Sequence, residues 1–264
     1  MKPILGCIVL MASPLAAQEF DLPQGCEGYL TIQSQSCSVS HYFRCGDDQN
    51  GEQRRATLDE EGLTYVGRIS GEAEWRDVLT KDFDFIMQFW NSPKPTIAAA
   101  HGYCIGGAME LLMACDLAVA GETTRFGEPE VRFGSGIVAM LAPYVIGPKQ
   151  AKELLLTGND KVTAYRCYQM GILNQVVADG AEMEAALELA NQIVNAAPRS
   201  VQMTKAAIHR AYELAEMRTA LREALETDIK IEADESPERV EFNRIRKDQG
   251  LKAALAWRNT KTAG

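Results

Sequence analysis

The sequence has no apolar run of about 18 residues, the length that a membrane-spanning helix needs. Its lysines and arginines form no basic stripe, and the net charge of −9 argues against a nucleic-acid partner held by phosphate contacts. It has no internal repeat and no Gly/Ser-rich linker. What remains is a chain of 264 residues, 46% of them hydrophobic. That is enough for one large domain, or for a medium domain with an extension.

Cysteine is present in an odd number, seven, which does not by itself describe a disulfide scaffold. Three cysteines lie in the polar front segment and three in apolar surroundings, namely Cys26, Cys37 and Cys45, and then Cys104, Cys115 and Cys167. For the second group we expect buried thiols. His41 stands four residues from Cys37 and from Cys45, but the spacing matches no established zinc pattern. We therefore predict no metal site.

The front of the chain differs in composition from the rest. Residues 1–17 have the positive start, short apolar centre and small-residue exit of a secretory leader, and the alternative is a buried strand. Residues 18–71 form a cysteine-containing segment, β-rich or poorly ordered, with short strands predicted at 28–35, 38–45 and 63–70. Such a segment behind a leader suits a small exported unit with one disulfide and a free thiol.

From Glu72 the pattern is that of an α/β domain, which we place at residues 72–180. Residues 72–92 have apolar side chains at helical spacing, and two prolines follow. Two apolar strands, TIAAAHG (96–102) and DLAVAG (116–121), flank an apolar helix, which predicts a parallel sheet built from βαβ units. Residues 181–264 read as amphipathic helices, which we expect to cover a partner subunit as well as their own core.

The stretch from Pro95 to Glu130 contains the chemistry. Glu110 is the one carboxylate of an apolar helix, where a charge is costly unless it is paired or lines a pocket. Two glycines precede it at the helix N-terminus, where backbone N–H groups are free. These parts suit an acid–base site with an oxyanion hole. The alternatives are a Glu110 that only stabilises the helix N-terminus and a Glu130 that is a solvated carboxylate, with Glu128, two residues earlier, as the residue most easily mistaken for it.

Beyond Glu130, glycines at 134 and 136 precede a segment that we predict to be an apolar helix. Further helices are predicted at 148–158 and 163–171, since the first begins with proline and ends with glycine. A last short strand is predicted at 172–177.

The run HGYCIGGAMELLMACDLAVAGETTRFGEPEVRFG closely resembles the second half of the crotonase (enoyl-CoA hydratase/isomerase) signature. That signature is Gly-x-x-x-Gly-Gly-x-x-Glu, then a Cys-Asp strand, then Phe-Gly-x-Pro-Glu. The resemblance extends from about Trp75 to the C-terminus. It implies a crotonase-like fold in which the Gly107 N–H forms part of an oxyanion hole for a thioester carbonyl. Glu110 and Glu130 become the acid–base pair, while Glu128 falls on a variable position and has no implied role.

The resemblance implies more about ligands and assembly. Ile137, Val138 and Leu141, on the predicted apolar helix, could line the acyl pocket or simply pack in the core. Lys205 lies where the family often has a basic residue near the CoA phosphates, and a solvated helix lysine is the alternative. The family needs no metal or redox cofactor, acts on acyl-CoA and forms trimers or dimers of trimers through its C-terminal helices. It also implies a cytoplasmic protein, whereas the leader-like start indicates a periplasmic or secreted one.

The sequence departs from the family pattern before Glu72. The family's earlier Cys/Ser-Ala-Gly-x-Asp loop, which supplies a second oxyanion N–H, has only a faint echo in FRCGDDQ (43–49). We therefore expect a crotonase-like fold that is incomplete at its N-terminal side, through a fusion or a faulty gene model. The predicted function is hydration of a 2-enoyl-CoA. The alternatives are an isomerase of the same family, a fused or truncated scaffold without catalysis, and an exported β domain.

Overall fold

The structure is a computed structural model that describes residues 71–234 and 236–260 and five strands that precede them. The strands are β1 (Ile8–Met11), β2 (Cys26–Thr31), β3 (Ser40–Cys45), β4 (Ala56–Asp59), β5 (Gly62–Tyr65), β6 (Ile97–Ala100), β7 (Tyr103–Ile105), β8 (Leu117–Gly121), β9 (Arg125–Gly127), β10 (Val162–Thr163) and β11 (Gln175–Val177). The helices are α1 (Glu72–Asn91), α2 (Gly107–Ala114), α3 (Ala142–Val145), α4 (Pro148–Thr157), α5 (Ala164–Met170), α6 (Glu182–Val194), α7 (Pro198–Leu214), α8 (Met217–Ala233), α9 (Pro237–Gln249) and α10 (Leu251–Thr260). A 3-10 helix spans Glu130–Phe133.

A four-stranded parallel sheet lies at the centre, with the strand order β1-β6-β8-β11. Strand β6 is buried along its whole length because helices cover both of its faces. Ile97, Ala99 and Val119 pack on one face against α6. Ala98 and Ala118 belong to the other face, in the main core with α1 and α2. The predicted parallel sheet and its βαβ unit are confirmed, and continuous apolar strands are typical of such buried sheets.

Strand β1 pairs in parallel with β6, with Ile8 opposite Ile97. It lies within residues 1–17, for which the sequence predicts a leader with a buried strand as the alternative. The leader itself stays a prediction. The antiparallel pairs β2–β3 and β4–β5 fall in residues 18–71, where short strands are predicted.

A second, smaller sheet has the order β10-β9-β7. Strand β7 runs parallel to β9, with Cys104 opposite Phe126. Our sequence analysis predicts neither β7 nor β9. This sheet matters for the site because β7 leads into α2 and β9 leads into the segment that carries Glu128 and Glu130.

Helix α1 confirms the helix predicted over 72–92, and it packs against α2 and α8. Leu79, Phe83, Ile86 and Met87 are its buried side chains. None of the helices within the described ranges is long and apolar enough to cross a membrane.

The apolar helix predicted after Gly134 is wrong for most of its length. Only Ala142–Val145 is helical, and Gly134 has a left-handed φ of 75°. The backbone N–H groups of Val138 and Ala139 donate to the carboxylate of Glu110 and not to helix carbonyls. Because a distant side chain takes these donors, the segment is irregular. The predicted helices α4 and α5 are confirmed, and each ends at a left-handed glycine.

Candidate active site

Two consecutive glycines begin helix α2. Gly106 has φ 61° and ψ −133°, a conformation that a side chain would strain. Its N–H donates to the carbonyl of Gly127 over 2.9 Å, and its own carbonyl accepts from Met109 N–H at 2.7 Å. The Gly107 N–H is left at the helix opening, and within the described residues no acceptor takes it. It is therefore a donor available to a ligand oxygen, as an oxyanion hole requires.

Glu110 stands one turn further along α2 and is only 2% exposed. Its Oε2 accepts the N–H of Ala139 at 2.6 Å, and its Oε1 accepts the N–H of Val138 at 3.3 Å. Burial raises the pKa of Glu110 well above its ordinary range; the Ala139 N–H opposes this rise and the charge of Glu130 adds to it. A buried carboxylate tuned in this way suits a general base.

Glu130 begins the 3-10 helix and is 5% exposed. Its backbone carbonyl accepts the N–H of Ser135 at 3.0 Å, which fixes the turn. Its carboxyl lies close enough to Glu110 and Glu128 for its charge to raise the pKa of both. The structure thus brings together the two carboxylates that the resemblance implies.

Glu128, to which the sequence assigns no role, is fully buried. Burial raises its pKa well above the ordinary range, and the charges of Glu130 and Glu110 raise it further. Strand β9 ends at Gly127, and Pro129 turns the chain, with φ −83° and ψ 6°, into the 3-10 helix that Glu130 begins. Neither strand nor helix spacing in the sequence therefore indicates that Glu128 is buried beside Glu130.

Asp228, on α8, is a further acid of the cluster that our sequence analysis missed. It is 2% exposed, and within the described residues its carboxylate oxygens have no hydrogen-bond partner. Burial raises the pKa of Asp228 to about 7, followed by the charge of Glu232. The signal was helical spacing, because Asp228 follows the buried Leu221 and Leu225 by seven and three residues.

Ile137 and Leu141 are buried in the main core, and Val138 packs against it. They lie in the irregular segment that meets the Glu110 carboxylate, not on a helix as predicted. An acyl-lining role for them stays a prediction.

Lys205 lies elsewhere, beside the C-terminal end of α2. It is 9% exposed, so the solvated-lysine alternative is wrong. Its Nζ is 2.6 Å from Asp116 Oδ2 and donates to the Lys94 carbonyl over 2.9 Å. It lines a cavity of about 580 Å³ together with Trp90. A contact with CoA phosphates stays a prediction, and the ammonium already has two partners.

One group of residues in the described part of the chain has the composition of a metal site. Potential ligand atoms of His101, Asp179 and Glu182 all lie within 4.8 Å of one another. Protein donors already use these carboxylates: Gly180 N–H donates to both oxygens of Glu182 over 3.0 Å, and Thr123 N–H to Asp179 over 3.0 Å. We assign no metal to this group.

A parallel sheet, a glycine-led helix and a cluster of buried carboxylates together form the site expected from the sequence motifs. The family model for enoyl-CoA hydratase/isomerase matches residues 62–240. The chain therefore belongs to the enoyl-CoA hydratase/isomerase family, and the resemblance is confirmed. The family model matches from residue 62, whereas the motif resemblance in the sequence begins only at about Trp75.

Among solved structures, an enoyl-CoA hydratase/isomerase from Xanthobacter autotrophicus Py2 is similar to this chain with a TM-score of 0.71 and 46% identity. The similarity covers 74% of this chain and 72% of that one. A putative enoyl-CoA hydratase of Thermus thermophilus is 34% identical over 145 residues, and a carnitinyl-CoA dehydratase of Salmonella typhi is 37% identical over 148. Each match covers 54% of this chain, which spans 56% of the length of each relative.

Proposed function

We propose that the protein is an enoyl-CoA hydratase that adds water across the double bond of a 2-enoyl-CoA thioester. The observation that carries the proposal is the joint burial of Glu110 and Glu130 near the start of α2, where no acceptor among the described residues takes the Gly107 N–H. These are an acid–base pair and a donor for developing negative charge, which the reaction needs.

Each of these residues has its own role in the proposed reaction. The thioester carbonyl accepts the Gly107 N–H. Glu110 takes a proton from water as the water oxygen bonds to C3, and Glu130 delivers a proton to C2. Since the hydrogen bonds from Val138 and Ala139 stabilise the charged form of Glu110, this carboxyl suits the base.

An isomerase of the same family is the second candidate. Moving a double bond requires one group that removes a proton and returns it, whereas hydration uses two carboxylates and a water. The presence of two buried glutamates favours hydration. The names of the two relatives, a hydratase and a dehydratase, support the same class of reaction.

The proposed chemistry needs an acyl-CoA substrate and no metal or redox cofactor. The family's substrates favour a cytoplasmic protein, with a periplasmic or secreted one as the alternative from the leader-like start. The intact mass of the protein isolated from its own cell tests this: a mass lacking the first seventeen residues contradicts the cytoplasmic assignment.

A homo-oligomer, a trimer or dimer of trimers, completes the proposal. On α7 the large apolar side chains of Met203, Ile208 and Leu214 are 60%, 53% and 68% exposed. Exposed apolar residues on one helix favour an interface. Sizing chromatography tests it, and a clean monomer argues against it.

Crotonyl-CoA is the direct probe of the hydratase proposal. The protein is expected to remove the enoyl absorbance of this thioester. Glu110→Gln and Glu130→Gln are expected to abolish most of the activity, while Glu188→Gln, at an exposed position of α6, leaves it unchanged. Absence of absorbance loss at high protein concentration refutes the proposal and favours the non-catalytic scaffold.

A further inference from the structure

The acids of the cluster differ in the number of hydrogen-bond donors that surround them. Glu110 receives two backbone N–H groups. Glu128 is fully buried, and in the described part of the chain neither of its oxygens receives an N–H or a hydroxyl donor. A buried carboxylate without donors is far costlier than a buried carboxylic acid. Of these two, Glu128 is therefore the one that retains a proton.

The acid two positions along the chain is Glu130, which is also buried and whose charge, after burial itself, is the largest cause of the raised pKa of Glu128. Two carboxyls in contact do not both ionise readily, because the second charge forms against the first. Such a pair holds one proton between its two members. The charges that act on Glu128 are those of Glu130 and Glu110, both acids.

Among the described elements that pack around the pair, none brings a cation whose charge acts on Glu128. The titratable groups around the pair are Cys104 on β7, Glu110 on α2, and Asp228 on α8 with Glu232 and Arg239 behind it. Cys104 is fully buried, and its thiol pKa is raised, first by that burial, so it carries no charge. Arg239 forms an ion pair with Glu232, and its charge acts on Asp228, whereas it is not among the charges that act on Glu128. The shared proton is thus the way in which this part of the cluster limits its negative charge.

We propose that Glu128 is a positioning residue of the hydration, forming with Glu130 a carboxyl pair that shares one proton and delivers it to C2. The inference rests on the proposed function and adds to it a residue at a variable position of the family pattern. Glu128 acts through Glu130 and need not touch the substrate.

The protons balance as follows. Before reaction, Glu110 is a carboxylate and the pair holds one proton. Water bonds to C3 through its oxygen and gives a proton to Glu110, the double-bond electrons move to C2, and the pair's proton bonds there. Glu110 is then a carboxylic acid beside two carboxylates, and transfer of its proton to the pair restores the starting state. In reverse, the doubly charged pair is a strong base for removing the C2 proton.

The test is the pH dependence of kcat with crotonyl-CoA in Glu128→Gln. Glutamine keeps the size of the side chain and a donor to Glu130, but it cannot share a proton. Loss of the last proton then no longer creates two adjacent charges, so Glu130 ionises at lower pH. We expect the alkaline limb of kcat to move down by about one pH unit or more, with KM within about twofold. Glu128→Asp keeps a carboxyl. In this variant the fall of kcat at alkaline pH is expected to occur close to its wild-type pH.

A Glu128→Gln variant with a lower kcat but an unmoved alkaline limb would mean that Glu128 serves packing alone, and this overturns the proposal.

Carboxyl ¹³C NMR titration measures the protonation of the pair without catalysis. The Glu130 signal is expected to titrate at higher pH in the wild type than in Glu128→Gln, and equal midpoints overturn the shared proton. If the wild type is inactive while the midpoints differ, the hydratase proposal fails and the pair stands. If Glu128→Gln does not fold, the wild-type titration alone decides: the Glu128 and Glu130 signals are expected to shift together in two steps, and independent single-step titrations overturn the shared proton.

Discussion

The two ends of helix α2 both hold acidic side chains, and they do so in opposite ways. At the C-terminal end, Asp116 accepts from the N–H of Thr96 at 2.7 Å, from its hydroxyl at 3.0 Å, and pairs with Lys205 at 2.6 Å. His209 stacks on Trp90 and lies 3.6 Å from the same carboxylate. At the N-terminal end, Glu128 has no N–H or hydroxyl donor among the described residues.

The difference separates charges that hold the fold from charges that are kept for chemistry. A buried carboxylate with all its donors is fixed in one state, so removing one partner destabilises the fold. A buried carboxylate with too few donors holds its proton near neutral pH and can exchange it. The two ends of α2 can therefore be told apart by substitutions that remove charge while preserving shape.

The largest expected effect belongs to the N-terminal end. Glu130→Gln removes the group that carries the delivered proton, and we expect kcat for crotonyl-CoA to fall by about 10²–10⁴-fold. The free energy of unfolding is expected to stay the same or increase, because a buried charge is lost. Absorbance assays and urea unfolding measure the two quantities. A destabilised variant would place Glu130 with the charges that hold the fold.

Asp116→Asn is the matching change at the C-terminal end. It leaves the buried Lys205 with the Lys94 carbonyl but without its anion, and we expect the free energy of unfolding to fall by about 1–2 kcal/mol, less than for a fully buried pair because Asp116 is partly exposed. The kcat of the folded fraction is expected to remain unchanged. Urea unfolding together with the crotonyl-CoA assay decides, and a loss of kcat without a loss of stability would contradict the division between the two ends.

A comparable effect on stability is expected from Gly106→Ala. A side chain at φ 61°, ψ −133° costs on the order of 1–3 kcal/mol and displaces the Gly107 N–H. We expect lower stability and lower kcat together. Gly250→Ala is the control, since Gly250 also has a positive φ, 87°, but lies between α9 and α10, which carry none of the site. It is expected to lower the melting temperature alone. Equal losses of kcat in both variants would separate Gly106 from the site.

The smallest expected effect concerns Asp228. Its folded-state pKa of about 7 lies above the ordinary value of 3.8, so the native protein binds this proton more tightly than the unfolded chain. Stability from this group is therefore present at low pH and is lost as the pH rises from about 4 to 7. Asp228→Asn is expected to be more stable than the wild type near pH 8, by on the order of 1–2 kcal/mol, and nearly equal to it near pH 4.

Urea unfolding at both pH values measures the effect. Glu223→Gln, at an exposed position of the same helix, is the control and is expected to change neither value. If the stability of the wild type and that of Asp228→Asn change by the same amount between pH 4 and pH 8, Asp228 does not titrate in this range and the prediction is wrong.

The sequence was sufficient where structure depends on neighbours along the chain. Helix α1 follows from apolar spacing, and α4 from its proline and glycine ends. The strands β6 and β8 follow from continuous apolar runs. Glu110 stood out because it is alone on an apolar helix, and the spacing of the glycines before it indicated the role that we propose for it.

The sequence was insufficient where a distant group decides. Residues 137–141 have the composition of a helix, but Glu110 takes the N–H groups of Val138 and Ala139. The burial of Asp228 depends on how α8 packs against α1, which no local pattern contains. Lys205 was expected in solvent because its partner Asp116 is 89 positions away.

The hydrogen bond from Gly106 to Gly127 joins the start of α2 to the strand that leads into Glu128 and Glu130. In the proposed reaction, the donor for the carbonyl oxygen and the acid for C2 are thus spaced by one backbone contact. They act on the carbonyl oxygen and on C2, two atoms whose separation is the same for every enoyl thioester, whatever the length of its tail. Selection of the tail must therefore be made by residues outside this contact, so acyl preference could change while the spacing of the reacting groups is kept.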